Sequence, residues 1–171
     1  MLYANIGEIA KILGDIPRAY SFLSEALALE TAARGEGTSR VAYLWNNLAD
    51  VHLLMGQPVR AKELAERGLA LRRSISGERK ESIARSLQTL ASAEHALGNP
   101  GAAIYLHDQA TELLGASLAG DPVERALDRC SRLVLVAQME KTKEAVDAVH
   151  AALLALPEES ARCTALAIGL S

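Results

Sequence analysis

An internal repeat limits what this chain can fold into more than any other feature. Gly14, Gly56 and Gly98 are equally spaced, and Ala19, Ala61, Ala103 and Ala145 keep the same step. Leu27, Leu69 and Leu153 follow it too, with Thr111 breaking the series. A period of about 42 residues marks stacked supersecondary units, each with an apolar side that only its neighbours can bury.

The unit is clearest between Val41 and Leu71. Apolar residues at helical spacing predict a helix over about 39–55, a break at Gly56-Gln57, and a second helix from Pro58 to about 73. The same hairpin is expected upstream. A helix over 2–13 carries Leu2, Ile6, Ile9, Ala10 and Leu13 and stops at Gly14. Asp15 then serves as N-cap, with Pro17 in the first turn, where its missing N–H costs nothing. A third hairpin is expected over 81–97, with a turn at Gly98-Asn99 and a restart at Pro100 behind an Asn99 cap. Loops containing Gly35 and Gly77, one period apart, separate the units.

The fourth unit is degenerate. Gly120 falls one residue late, and Asp121-Pro122-Val123-Glu124 reads as a capped helix start. Allowing a one-residue shift puts Leu133 in the slot of Leu48 and Leu90, and takes Arg132 out of the core, where an unpaired charge is expensive. Repeats are therefore expected at about 1–37, 38–80, 81–120 and 121–157, with a partial helix at 160–170. Small residues (Ala26, Ala49, Ala61, Gly68, Ala91, Ala103, Ala110) let helix backbones approach, and Leu23, Leu48, Leu69 and Leu90 fill the space beside them. The expected fold is all-α: one right-handed α-solenoid of about four hairpins, with the first helix of each pair lining a concave face.

Composition agrees and narrows function. Ala and Leu dominate, and strand-like alternation is absent. A net charge of -3 offers no electrostatic footprint for nucleic acid. No apolar run approaches membrane-spanning length, and no charged lead and apolar run suggest a signal peptide. Cys130 and Cys163 lie far apart without metal spacing, which fits free thiols and a cytoplasmic location. His52, His95, His107 and His150 have no paired helical spacing, so neither a metal site nor a cofactor is expected. No catalytic set or phosphate loop is present, which argues against an enzyme.

The turn glycine, the Ala five residues on, and the Trp45…Leu48-Ala49 spacing resemble tetratricopeptide repeats. The common form is shorter, at about 34 residues. With its longer period, and with Val41-Ala42, Asn46-Asn47-Leu48-Ala49, and Ala70-Leu71-Arg72 leading to Gly77, the chain is similar to kinesin light chain repeats and their bacterial relatives in signalling ATPases and regulators. The resemblance implies a groove in which polar side chains of the first helices hold an extended or helical peptide. The matching positions are Asn5, Glu8, Tyr43, Asn46, Asn47, Asp50, Arg85, Gln88, Thr89 and Ser92, with Arg132 if the shift holds. Asn5, Asn47 and Thr89 are successive by one period, and an Asn amide can clamp a main chain regardless of sequence. Solvation of an inner groove is the plainer use of the same residues. A clamp for a terminal carboxylate needs several cations, and only Arg85 fits well, with Lys11 and Arg132 marginal. Trp45 is expected to pack between repeats, and the basic stretch Arg72-Arg73…Arg79-Lys80 to be a solvated edge.

The expected function is a non-catalytic scaffold for a protein or peptide partner. The alternative is an intramolecular regulatory or self-association segment of a larger signalling or transcription protein. Apolar residues at 160–170 also suggest a homodimer joined through a terminal repeat.

Overall fold

The structure, a computed structural model, describes residues 2–114 and five isolated helical positions between 136 and 151. Six helices follow one another: α1 (Leu2–Ile12), α2 (Ile16–Arg34), α3 (Ser39–Leu54), α4 (Pro58–Ser74), α5 (Lys80–Ala96) and α6 (Pro100–Leu114). Among the described residues there is no strand. The predicted boundaries hold to within one residue. Apart from those five positions the fourth unit lies outside the described residues, as do the partial helix at 160–170 and Arg132.

The turns explain why the period survives. Asp15, Gln57 and Asn99 each donate a backbone N–H to the carbonyl five residues back, at 2.8 to 2.9 Å. Gly14, Gly56 and Gly98 each donate to the carbonyl three residues back. This double bond pattern caps the helix C-terminus and needs a left-handed residue between its two halves. The glycines supply it, with φ of 76°, 68° and 80°. Asp15 Oδ1 then accepts from the Arg18 amide at 3.2 Å, and Thr38 Oγ1 from the Val41 amide at 3.1 Å, so α2 and α3 start on side-chain caps. Asn99 spends its side-chain amide otherwise: it donates to Glu94 Oε2 at 2.8 Å, tying the end of α5 to the turn. His52 and Gln57, one period earlier, make the same tie at 2.9 Å.

Within each hairpin the helices touch where side-chain volumes compensate. Gly7 lies against Leu23, whose Cγ would sit 2.7 Å from a Cβ at that position. One period on, the two slots hold Ala49 and Ala65, both fully buried. Gly68 faces Asn46 in the same way, while the corresponding positions of the first hairpin are Ala4 and Ala26. Large meets small in one repeat, and medium meets medium in the next, at near-constant total volume. Burying Leu23, Leu44 and Leu87 completely contributes roughly 1.5–3 kcal/mol each.

Between hairpins, one contact recurs with changed chemistry. Tyr20 on α2 meets His52 on α3 edge to face, with ring centroids 5.6 Å apart. Lys62 on α4 and Glu94 on α5, each one period later, form a 2.7 Å ion pair in its place. Trp45 is buried, and the Arg67 guanidinium, on α4 of the same hairpin, lies 4.2 Å from its ring centre. First helices also touch one another along the stack, whereas second helices scarcely meet. That asymmetry bends the array so that α1, α3 and α5 line its inner face.

Candidate binding groove

The inner face is built by three helices one period apart, so the same helical position on each forms a row across it. Position 8 gives the row Glu8, Asp50 and Ser92, and position 5 gives Asn5, Asn47 and Thr89. Asn5, Arg85 and Ser92 are exposed, and Glu8, Tyr43, Asp50 and Gln88 are half-buried. Together they make up a set of polar side chains spread over α1, α3 and α5, the polar strip.

Three expected groove residues are turned inward. Asn46 is 3% exposed and lies between α3, α4 and α5. Its Nδ2 donates to Ser86 Oγ at 2.7 Å, and its Oδ1 faces Gly68 without a donor. It is a spacer between repeats, because the absence of a side chain at Gly68 opens a slot beneath it. Thr89 is buried as well. Asn47 is 6% exposed, and both ends of its amide are engaged within the chain. Nδ2 donates to the Tyr43 carbonyl at 3.1 Å, and Oδ1 accepts from Lys11 Nζ at 3.1 Å.

Lys11 holds the α1 and α3 parts of the strip together. Its Nζ also lies 2.9 Å from Asp50 Oδ2, so a single ammonium joins two of the expected site residues across a gap of 36 and 39 residues. The ion pair is a partly exposed one, worth at most about 1 kcal/mol to stability, but it fixes where the Asp50 carboxylate points. Beside it, Glu8 bonds the Tyr43 hydroxyl. Partial burial and then the Glu8 carboxylate push the Tyr43 pKa up to about 12. Tyr43 therefore stays neutral and a hydrogen-bond donor across the physiological range. On α5, Ser92 Oγ donates to its own helix at Gln88 O, 3.1 Å away, and Arg85 is exposed.

Lys11 is the residue that sequence reasoning undervalued. Its repeat counterparts are Leu53 and His95, so no row of the period announces it. The basic edge also needs correcting: Arg73, Arg79 and Lys80 are solvated, but Arg72 is 3% exposed, because it ends α4 on the side that α5 covers. Among the described residues no group of His, Cys, Asp or Glu could hold a metal ion. Nor is any helix there long and apolar enough to cross a membrane.

The family model for the tetratricopeptide repeat matches residues 1–74 and again 40–116. No curated protein matches the sequence. Among solved structures, the nearly identical TPR-like repeats of a Podosopora anserina protein classed as kinesin light chain superpose with a TM-score of 0.71 at 20% identity. The match covers 95% of this chain and 80% of that one. A variant of the same protein gives the same score and identity, with 79% of its chain covered.

Proposed function

Because the chain belongs to the tetratricopeptide repeat family, whose members generally mediate protein–protein interaction, we propose that it is a non-catalytic scaffold gripping a peptide or a partner helix in its concave groove. The observation that carries this reading is the polar strip of Asn5, Glu8, Tyr43, Asp50, Arg85, Gln88 and Ser92 on successive first helices. The strip divides the work. Its α1–α3 part is preorganised: Lys11 and Glu8 hold Asp50 and Tyr43 in place before any partner arrives, which lowers the ordering cost of binding. Its α5 part, where Arg85 is exposed, supplies a side chain that can adapt. The Tyr43 hydroxyl oxygen, the Asp50 carboxylate and the Gln88 amide together present donors and acceptors to a main chain, giving affinity that depends little on the partner's sequence.

Co-purification with the intact chain from its native cell, followed by mass spectrometry, identifies the partner. Affinity is then measured for Asp50→Ala combined with Arg85→Ala. Both side chains reach solvent, so the fold is kept and affinity is expected to fall by roughly tenfold or more, the scale of one charged hydrogen bond. An unchanged affinity refutes groove binding. Recovery of no foreign protein, with contacts instead to other domains of the same polypeptide, favours an intramolecular role.

A further inference from the structure

The junction between the second and third hairpins holds a buried guanidinium whose needs are unmet. Arg72 stands in the last turn of α4. The nearest acid, Glu78 in the following loop, is 3.8 Å from Nη1, beyond hydrogen-bond reach. Arg72 Nε is sealed from solvent and donates to nothing. A buried donor of this kind is costly, and more so on a charged group.

The preceding junction shows how the same slot is normally satisfied. One period earlier the position holds Glu30. There Arg34 Nη1 donates to Oε1 at 3.3 Å, and Arg40 Nε lies 3.7 Å from Oε2. Two cations serve one acid. At the later junction the sign is inverted and the balance is not restored, since Arg40 is matched one period on by Ser82, which brings no charge. Instead Arg79, immediately before α5, and Arg85, in its second turn, add further positive charge, both exposed. Burial foremost, and then these two arginines, push the Arg72 pKa down, with Glu78 alone opposing them. The Arg72 guanidinium thus feels two further positive charges and one carboxylate, Glu78, that is too distant to accept from it.

We infer that Arg72, Arg79 and Arg85 form an oxyanion site, in which a carboxylate or phosphate group accepts the N–H that Glu78 leaves unmet. The planar fork of a guanidinium suits either oxyanion, which takes two parallel bonds from it. Entry displaces the Glu78 carboxylate, which no hydrogen bond to Arg72 retains. Arg79 and Arg85, at the rim, neutralise the remaining charge of the guest. The inference shares Arg85 with the groove reading but does not rest on it, because a free anion suffices to test it.

The test uses the full chain at low ionic strength, titrated with sodium phosphate, sodium acetate and sodium chloride in parallel. Binding is read from the arginine Nε–H resonances in proton–nitrogen NMR spectra and from calorimetry. Phosphate or acetate is expected to shift the Arg72 resonance saturably, and chloride not to. A response to phosphate alone identifies a phosphate site, and a response to both shows that a carboxylate suffices. Arg72→Met should abolish the response. Arg85→Gln, at an exposed position that leaves the fold intact, should weaken it by roughly tenfold, and Arg60→Gln on the outer surface of α4 should not change it. Equal shifts with all three salts, or an Arg85→Gln affinity equal to that of the parent, overturn the inference.

Discussion

Replacing Gly68 with alanine isolates the volume compensation that keeps the second hairpin in the stack. Taken alone, Gly→Ala in the middle of a helix gains about 1 kcal/mol of helix propensity. Here the new methyl group meets Asn46 Oδ1 below van der Waals distance, and Ala42 O 3.2 Å away. Neither can give way cheaply. Ala42 O is backbone, and Asn46 is held by its 2.7 Å bond to Ser86 on α5. Overpacking costs about 1–3 kcal/mol, and moving Asn46 off Ser86 leaves a buried amide unpaired at about 1–3 kcal/mol more. After the propensity gain, Gly68→Ala is expected to destabilise by roughly 1–5 kcal/mol. In an Asn46→Ala background the contact with the amide is gone and only the tight approach to Ala42 O remains, as the pair becomes the Ala–Ala arrangement already present at Ala4 and Ala26. The same Gly68→Ala step should then be near neutral or stabilise by up to about 1 kcal/mol, less what the Ala42 carbonyl contact costs. Urea unfolding of the four proteins closes the cycle, with an expected coupling of at least about 1 kcal/mol. If Gly68→Ala is equally stabilising in both backgrounds, Asn46 is no spacer and the compensation argument fails.

Ala61→Leu or Ala103→Leu should destabilise more than Leu54→Ala in the same melts, since both alanines are fully buried and Leu54 is 58% exposed; equal losses would show a misplaced helix register. Glu94 is held below the ordinary carboxylate range by its bonds to Lys62 and Asn99. Its contribution is therefore present above the ordinary value of 4.5 and lost as pH falls through the lower folded value, so the melting-temperature gap between the parent and Glu94→Gln should close on acidification. Tyr43 runs in the opposite sense: with its folded pKa raised to about 12, its contribution is complete below pH 10 and lost between 10 and 12. Absorbance at the phenolate band should show one step near pH 12 that disappears in Tyr43→Phe and moves to lower pH in Glu8→Gln. Far-ultraviolet circular dichroism should report a mostly helical protein, and a substantial strand signal would refute the fold.

The repeat, the six helices, the glycine turns and the Asp15 cap were legible in the amino-acid sequence. All of these rest on local rules that recur with every period. A left-handed glycine after each first helix, a proline at the next helix start, and apolar residues at helical spacing act within a few residues of themselves, so a linear pattern records them. Partnership across helices was decided only by the tertiary structure. Asn46 and Asn47 are neighbours of one residue type on one helix, yet Gly68 on α4 draws the first into the core, and Lys11 on α1 claims the second. Arg72 looked like part of a solvated basic edge until α5 covered it. Periodicity reports which face of a helix turns inward. It does not report which single side chain finds a space, an acceptor or a counter-charge there, because that depends on volumes and charges contributed by a different helix.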